Sequence, residues 1–162
     1  MKAMRFFFYG TLLAGSSSQI ALDVHRKLRA LGPATVRGRL YAVPDPEGWY
    51  PILKPGCRQV RGELYETSPE FRRSDLAALD AYEDFDPSDP SGSLYLRKKV
   101  TVVPGGGAPV IANAYVFNRT LPAAARPIRQ DDFPEWLSEI GFSSFGSAHR
   151  SGKGSRGQKD RA

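Results

Sequence analysis

Met4-Arg5-Phe6-Phe7-Phe8-Tyr9-Gly10-Thr11-Leu12 begins the patterned part of this 162-residue chain with an apolar run that stops at a glycine. Because Met4–Tyr9 does not alternate, it reads as a central strand buried on both faces. Working outward, Ser16-Ser17-Ser18 offers an N-cap. Ile20, Leu22 (or Ala21), Val24, Leu28 and Leu31 then mark an amphipathic helix that stops at Gly32-Pro33. Val36, Gly38, Leu40 and Ala42 alternate with Arg37, Arg39 and Tyr41, the period of a half-buried strand. Pro44 to Gly48 reads as a turn, Tyr50–Leu53 as a short edge segment, and Val60–Tyr65 as a further strand. Ser68-Pro69-Glu70 predicts a helix entry, with Leu76, Ala78, Leu79 and Tyr82 forming a face through Ser74–Glu83. After a loop from Asp84 to Ser93, Leu94–Val103 and Val110–Asn118 read as long strands joined by a Pro-Gly-Gly-Gly-Ala-Pro turn. Phe133, Trp136, Leu137 and Ile140 mark a last helix over Asp131–Glu139. About six strands and two or three helices, in an order neither all-parallel nor sandwich-like, predict an α+β domain. Its sheet is small, mixed, strongly curled and barrel-like, with the helices outside.

Composition restricts the chemistry. The chain is 41% apolar and 25% charged, the balance of one soluble domain. No apolar run approaches the roughly 18 residues needed to cross a bilayer. A single cysteine, Cys57, allows no internal disulfide and no thiolate-rich metal site, which points to a reducing, cytoplasmic setting. Two histidines, His25 and His149, are too few for a histidine-built metal centre. Of the net charge of +6, the segment 143–162 carries +4 and residues 1–142 carry +2. The expected division is therefore a folded domain over 1–142 and a basic, Gly/Ser-rich disordered tail over 143–162. That tail reads either as a solubilising terminus or as a contact for a polyanion, and the near-neutral domain argues against nucleic acid. Lys2 and Arg5 before the phenylalanines imitate a secretory signal, but the apolar stretch is short and interrupted by Gly10-Thr11. Asp84, Asp86 and Ser88 imitate the start of a calcium loop, but Asp89 and Tyr95 stand where Gly and Glu are required. No metal site is expected.

Two places break local rules. At Tyr9-Gly10-Thr11-Leu12 a buried strand ends in a glycine turn before a helix. It reads either as a plain corner or as successive N–H groups presented to a carboxylate. At Leu79–Asp86 a helix ends with Asp80, Glu83, Asp84 and Asp86, although the macrodipole there favours cations. This is either a solvated acidic terminus or a place where one carboxyl holds its proton into the neutral range, with Tyr82 and Phe85 as an apolar wall. Such a carboxyl suits acid–base catalysis.

Seven segments in order, Phe8–Leu12, Gly38–Tyr41, Tyr50-Pro51, Val60–Tyr65, Leu79–Glu83, Tyr95–Val100 and Ala114–Phe117, resemble the gamma-glutamylcyclotransferase-like family over roughly Arg5 to Trp136. The resemblance implies a small mixed barrel with a cavity beside the first strand. It places the substrate's alpha-amino-acid end at Tyr9, Gly10, Thr11 and Leu12, and the catalytic glutamate of a Leu-Asp-x-x-Glu motif at Glu83. Tyr50, Pro51, Tyr95 and Tyr115 match positions lining the pocket. Two departures stand out: Asp84-Phe85 where many members have a glycine, and a Pro- and Asp-rich loop at Pro87–Ser93, expected as a rim that sets leaving-group preference.

The implied reaction releases 5-oxoproline and a free amine from a gamma-glutamyl amine or peptide. The substrate's own alpha-amine attacks its gamma-carbonyl, so neither an enzyme nucleophile nor a cofactor is required. Glu83 would take a proton from the attacking ammonium and return it to the leaving amine. The oxyanion donor is either an N–H of the glycine turn or a tyrosine hydroxyl. Alternatives are removal of a gamma-glutamyl protecting group from a specialised metabolite, or a non-catalytic metabolite-binding domain.

Overall fold

The computed structural model describes residues 1–10 and 19–141. The expected serine N-cap, the Thr11-Leu12 part of the glycine turn and the basic segment 143–162 lie outside the described residues. In chain order the elements are β1 (Arg5–Phe8), α1 (Gln19–His25), β2 (Leu28–Asp45), β3 (Gly48–Thr67), α2 (Arg73–Tyr82), β4 (Tyr95–Pro104), β5 (Val110–Phe117), β6 (Arg126–Pro127) and α3 (Phe133–Ile140). The strand order β3-β1-β5-β4-β2-β6, with an additional β3–β2 pairing, closes five strands into a barrel and leaves β6 on the edge of β2. The predicted curled, mixed sheet with outside helices is thus the observed architecture.

β1 explains why the opening run is uninterrupted. It pairs antiparallel with β3 and parallel with β5, so its backbone is bonded on both sides. Phe7 and Tyr9 belong to the apolar cluster of the barrel interior, with Val36, Leu40, Leu64, Val102 and Ala112. Phe6 and Phe8 belong to a second cluster with Val24 of α1 and Leu79 of α2. A strand that serves two cores cannot afford a polar alternate residue. α3 packs against the interior cluster through Phe133 and Trp136, the latter meeting Trp49 edge-on at 5.1 Å between ring centres. Its entry is set by Asp132, whose side chain accepts the Glu135 N–H at 3.0 Å, and its exit by Gly141 in the left-handed region.

Three sequence expectations need correction. The first helix ends at His25, and Leu28–Leu31, assigned to it by their spacing, instead begin β2. There the ladder to β3 (Leu28 opposite Thr67, Ala30 opposite Tyr65) overrides helical periodicity, and a bulge before Gly32 turns Leu31 outward. The edge segment Tyr50–Leu53 and the strand Val60–Tyr65 are one 20-residue strand, β3, paired along β2 with an irregularity at Gly38/Arg39. Ser68-Pro69-Glu70 forms a turn, and α2 begins only at Arg73.

Close packing of β1 on β3 depends on Gly62. A Cβ there would lie 2.3 Å from the Phe8 carbonyl oxygen and 2.6 Å from the Phe7 ring. Gly62→Ala is therefore expected to destabilise the fold by about 2–3 kcal/mol, as overpacking of a rigid core does. Denaturant unfolding reads this directly, and an unchanged midpoint would show that β1 has room to move.

Candidate active site

The site is built where β1 runs out beneath the C-terminal end of α2. α2 closes with two backbone bonds, Phe85 N–H to the Asp80 carbonyl at 2.8 Å and Asp84 N–H to the Ala81 carbonyl at 3.1 Å. This paired closure calls for a left-handed residue after the cap, the position glycine usually fills. Here Asp84 takes it with φ 50°, which accounts for the departure noted at Asp84-Phe85: aspartate is among the few non-glycine residues that tolerate this conformation. The closure fixes Glu83 as the helix cap.

Two cavities meet at Glu83. One, of about 40 Å³, is lined by Phe7, Phe8, Tyr9, Gly10, Pro51, Glu83, Tyr95 and Tyr115. The other, of about 190 Å³, is lined by Asp45, Tyr50, Tyr82, Glu83, Asp84, Leu94 and Tyr95. Tyr9, Gly10, Pro51, Tyr95 and Tyr115 are therefore gathered with Glu83 in one place, and Tyr50 joins it from the second cavity. Thr11 and Leu12 lie outside the described residues. The loop Pro87–Ser93, expected as a rim, lines neither cavity. Pro87, Asp89, Gly92 and Ser93 face a separate open groove beside α2, and of this region only Asp84 and Leu94 reach the Glu83 side. The loop is drawn away because Ser93 turns inward to accept the Asp86 N–H at 2.8 Å and donate to the Asp89 carbonyl at 2.9 Å.

Burial raises the Glu83 carboxyl pKa from the ordinary 4.5 to about 8, and the neighbouring Asp84 charge adds to it. Glu83 is half-buried as a residue, but its carboxyl is enclosed. Within this acidic cluster the upward shift falls on Glu83, chiefly through lost hydration. Asp86 goes the other way, lowered by hydrogen bonds from Ser88.

Asp80, on the same helix end, has a different task. It is only 4% exposed and accepts from the Tyr115 hydroxyl at 2.7 Å and from Arg97 Nε at 2.9 Å. Arg97 also lies 5.7 Å from the centre of the Phe85 ring. The Tyr9 hydroxyl donates to the Tyr115 carbonyl at 2.5 Å, and the Tyr95 hydroxyl donates to the Pro51 carbonyl at 2.9 Å. Burial raises the pKa of all three tyrosines, so their hydroxyls stay protonated. Each of these hydroxyl protons is already committed to a fixed acceptor, which weakens the expectation that one of them serves an oxyanion. Sequence reading missed the roles of Asp80, Arg97, Asp45 and Tyr82. The one available signal was an aspartate at a helix end facing an arginine-bearing strand.

Gly10 is in contact with Pro51. A Cβ there would lie 2.2 Å from the proline Cγ, so a side chain would push the strand end off the site. The buried pair predicts a further outcome. Asp80→Asn leaves Arg97 without its counter-charge and is expected to cost about 2–4 kcal/mol of stability, measurable by denaturant unfolding. A loss under about 0.5 kcal/mol, typical of an exposed pair, would contradict the pinning role.

Comparison with known proteins gives a consistent result. The family model described as gamma-glutamyl cyclotransferase, AIG2-like, matches residues 6–136. No curated protein matches the chain in sequence. Among solved structures, an AIG2-like protein from Mus musculus is similar at 25% identity, covering 91% of this chain and 88% of its own, with a TM-score of 0.53. A gamma-glutamyl cyclotransferase is similar at 16% identity over 80% of this chain and 73% of its own, with a TM-score of 0.53. An uncharacterized protein from Pyrococcus horikoshii is similar at 17% identity over 85% of this chain and 96% of its own, with a TM-score of 0.55. With both Glu83 and the glycine corner inside the matched span, the chain belongs to the gamma-glutamyl cyclotransferase, AIG2-like family.

Proposed function

We propose that this protein is a cyclotransferase that converts a gamma-glutamyl amine or peptide into 5-oxoproline and the free amine, with Glu83 as its acid–base group. The observation that carries the reading is an enclosed carboxyl, shifted to about 8, on the wall shared by two cavities beside Gly10. The smaller cavity has room for one small polar group, such as the substrate's alpha-carboxylate. Backbone N–H groups of the turn through Gly10, Thr11 and Leu12 are the proposed donors to it. Tyr9, Pro51, Tyr95 and Tyr115 form the rigid wall around the glutamyl group, and Tyr50 stands on the leaving-group side.

Chemistry follows from proton balance. Glu83 accepts a proton from the substrate's alpha-ammonium, and the freed nitrogen attacks the gamma-carbon to close a five-membered ring. The resulting tetrahedral intermediate still carries a second proton on its ring nitrogen. Glu83 returns the first proton to the outgoing nitrogen as its bond to carbon breaks. It then takes the second from the ring nitrogen and passes it to the freed amine, which leaves as ammonium while the ring becomes a neutral lactam. No water is consumed, and the carboxyl ends as it began. Its shifted pKa matters because a proton carrier works best near the working pH. When the substrate's ammonium enters, its positive charge favours the ionised carboxyl and primes the transfer. The free, exposed Cys57 suits a reducing, cytoplasmic setting. Among the described residues no helix is long and apolar enough to cross a membrane.

Glu83→Gln is expected to lower kcat for 5-oxoproline release by about 10²- to 10⁴-fold, the usual worth of a positioned acid–base group, with little change in substrate affinity. Turnover equal to the parent would remove Glu83 from the reaction. In the parent, kcat/KM should rise with pH through an ionisation near 8, and this limb should vanish in the variant. Stability gives an independent check. Below about pH 4.5 Glu83 is protonated in both folded and unfolded chains. Between 4.5 and 8 only the unfolded chain releases the proton, so the parent loses stability as pH rises. Glu83→Gln should therefore match the parent in acid and exceed it by a few kcal/mol at pH 8 and above. Parallel stability curves would contradict the buried-carboxyl account.

A further inference from the structure

Two residues that line neither cavity flank Glu83 in the chain and share one partner. Asp80, three residues before it, takes the Arg97 guanidinium as a fork, from Nε at 2.9 Å and from Nη2 at 3.4 Å. Phe85, two residues after it, has its ring centre 5.7 Å from the same guanidinium. One side chain of β4 is therefore in contact with both ends of the short turn that carries Glu83. Backbone bonds close that turn as well. The Phe85 N–H donates to the Asp80 carbonyl at 2.8 Å, and the Leu94 N–H, just before β4, donates to the Asp84 carbonyl at 3.0 Å. The Arg97 side chain is 21% exposed and that of Asp80 6%, so water competes little for either.

The same pair decides where positive charge resides. Tyr9 from β1, Asp45 from β2, Tyr50 from β3, Tyr95 from β4 and Tyr115 from β5 share the two cavities with Glu83, as do Tyr82 and Asp84 from its own helix end. Among the described residues no lysine, arginine or histidine lines either cavity. Arg97 stands at this helix end, and Asp80 takes up its charge. From this geometry we infer that Arg97 is a positioning residue for the cyclisation: it clamps the turn bearing Glu83 from both sides, and its pairing with Asp80 keeps its charge off the catalytic carboxyl. The inference rests on the cyclotransferase reading and adds to it a residue that stands outside both cavities. A planar guanidinium can meet a carboxylate and an aromatic ring together, which the point charge of a lysine does less well.

The test follows 5-oxoproline release from a panel of gamma-glutamyl amines, gamma-glutamyl dipeptides and glutathione. Each kcat is expressed per folded molecule, with the folded fraction taken from denaturant unfolding. Arg97→Lys is expected to lower kcat about tenfold with KM within about twofold of the parent, since neither cavity loses a wall. Phe85→Leu keeps the ion pair and should lower kcat alone by about fivefold, whereas Phe85→Tyr keeps the ring and should retain the parent rate. Asp80→Asn frees the guanidinium charge, which favours the ionised form of Glu83. The Glu83 carboxyl resonance in carbon NMR, a readout that needs no turnover, should then titrate at lower pH than in the parent. Arg97→Lys and Phe85→Leu leave Asp80 in place, so they test the clamp even where Asp80→Asn fails to fold. Parent-like kcat in both would overturn the clamp, and an unmoved Glu83 titration in Asp80→Asn would overturn the separation of charge; neither result touches the cyclotransferase reading. Absence of release from every compound by the parent would overturn that reading, and the role of Arg97 with it.

Discussion

The site depends on a buried carboxylate that does no chemistry itself. Asp80 ties the last turn of α2 to β4 through Arg97 and to β5 through the Tyr115 hydroxyl. Arg97 and Tyr115 are opposite each other in the β4–β5 ladder, so one side chain anchors the helix end to both strands at once. Tyr115 in turn holds Tyr9 through its carbonyl. The helix end, the barrel wall and the end of the opening strand are thus joined by three hydrogen bonds in series. Glu83, three residues beyond Asp80, has its location decided by that joint.

This arrangement separates two carboxylates on one helix end by environment. Asp80 is compensated by a guanidinium and a hydroxyl, whereas Glu83 faces aromatic surface and a second negative charge at Asp84. The first stabilises the assembly, and the second is left dependent on what enters the cavity. Holding an acid that meets no counter-charge among the described residues in an enclosed place costs stability at neutral pH, a cost met by the two apolar cores that β1 joins. The same reasoning explains Asp84. As a left-handed residue it is a poorer choice than glycine, but it adds charge beside Glu83 and to the larger cavity.

Much of this was legible in the sequence, for physical reasons that differ by element. The continuous apolar run at Met4–Tyr9 announced a strand buried on both faces, because nothing but two cores requires it. The acidic helix end at Asp80–Asp86 marked a place where either a solvated terminus or a shifted carboxyl could stand, because it opposes the dipole of its own helix. Less legible was Leu28–Leu31, where helical spacing and strand pairing compete and only the long-range ladder to Thr67–Leu64 decides. Hidden altogether was the division of labour between Asp80 and Glu83, since it depends on Arg97 and Tyr115 arriving from elsewhere in the chain. The Asp45 contribution to the larger cavity was hidden too, because a turn residue after Pro44 carries no local sign of facing a helix end.

The central claim is that Glu83 keeps its proton through the neutral range because the fold encloses it. Its most direct test is a carboxyl titration followed by carbon NMR on the full chain, with the Glu83 resonance assigned from its disappearance in the glutamine variant. The account predicts half-titration near pH 8. Half-titration near 4.5, the value of an ordinary glutamate, would contradict it.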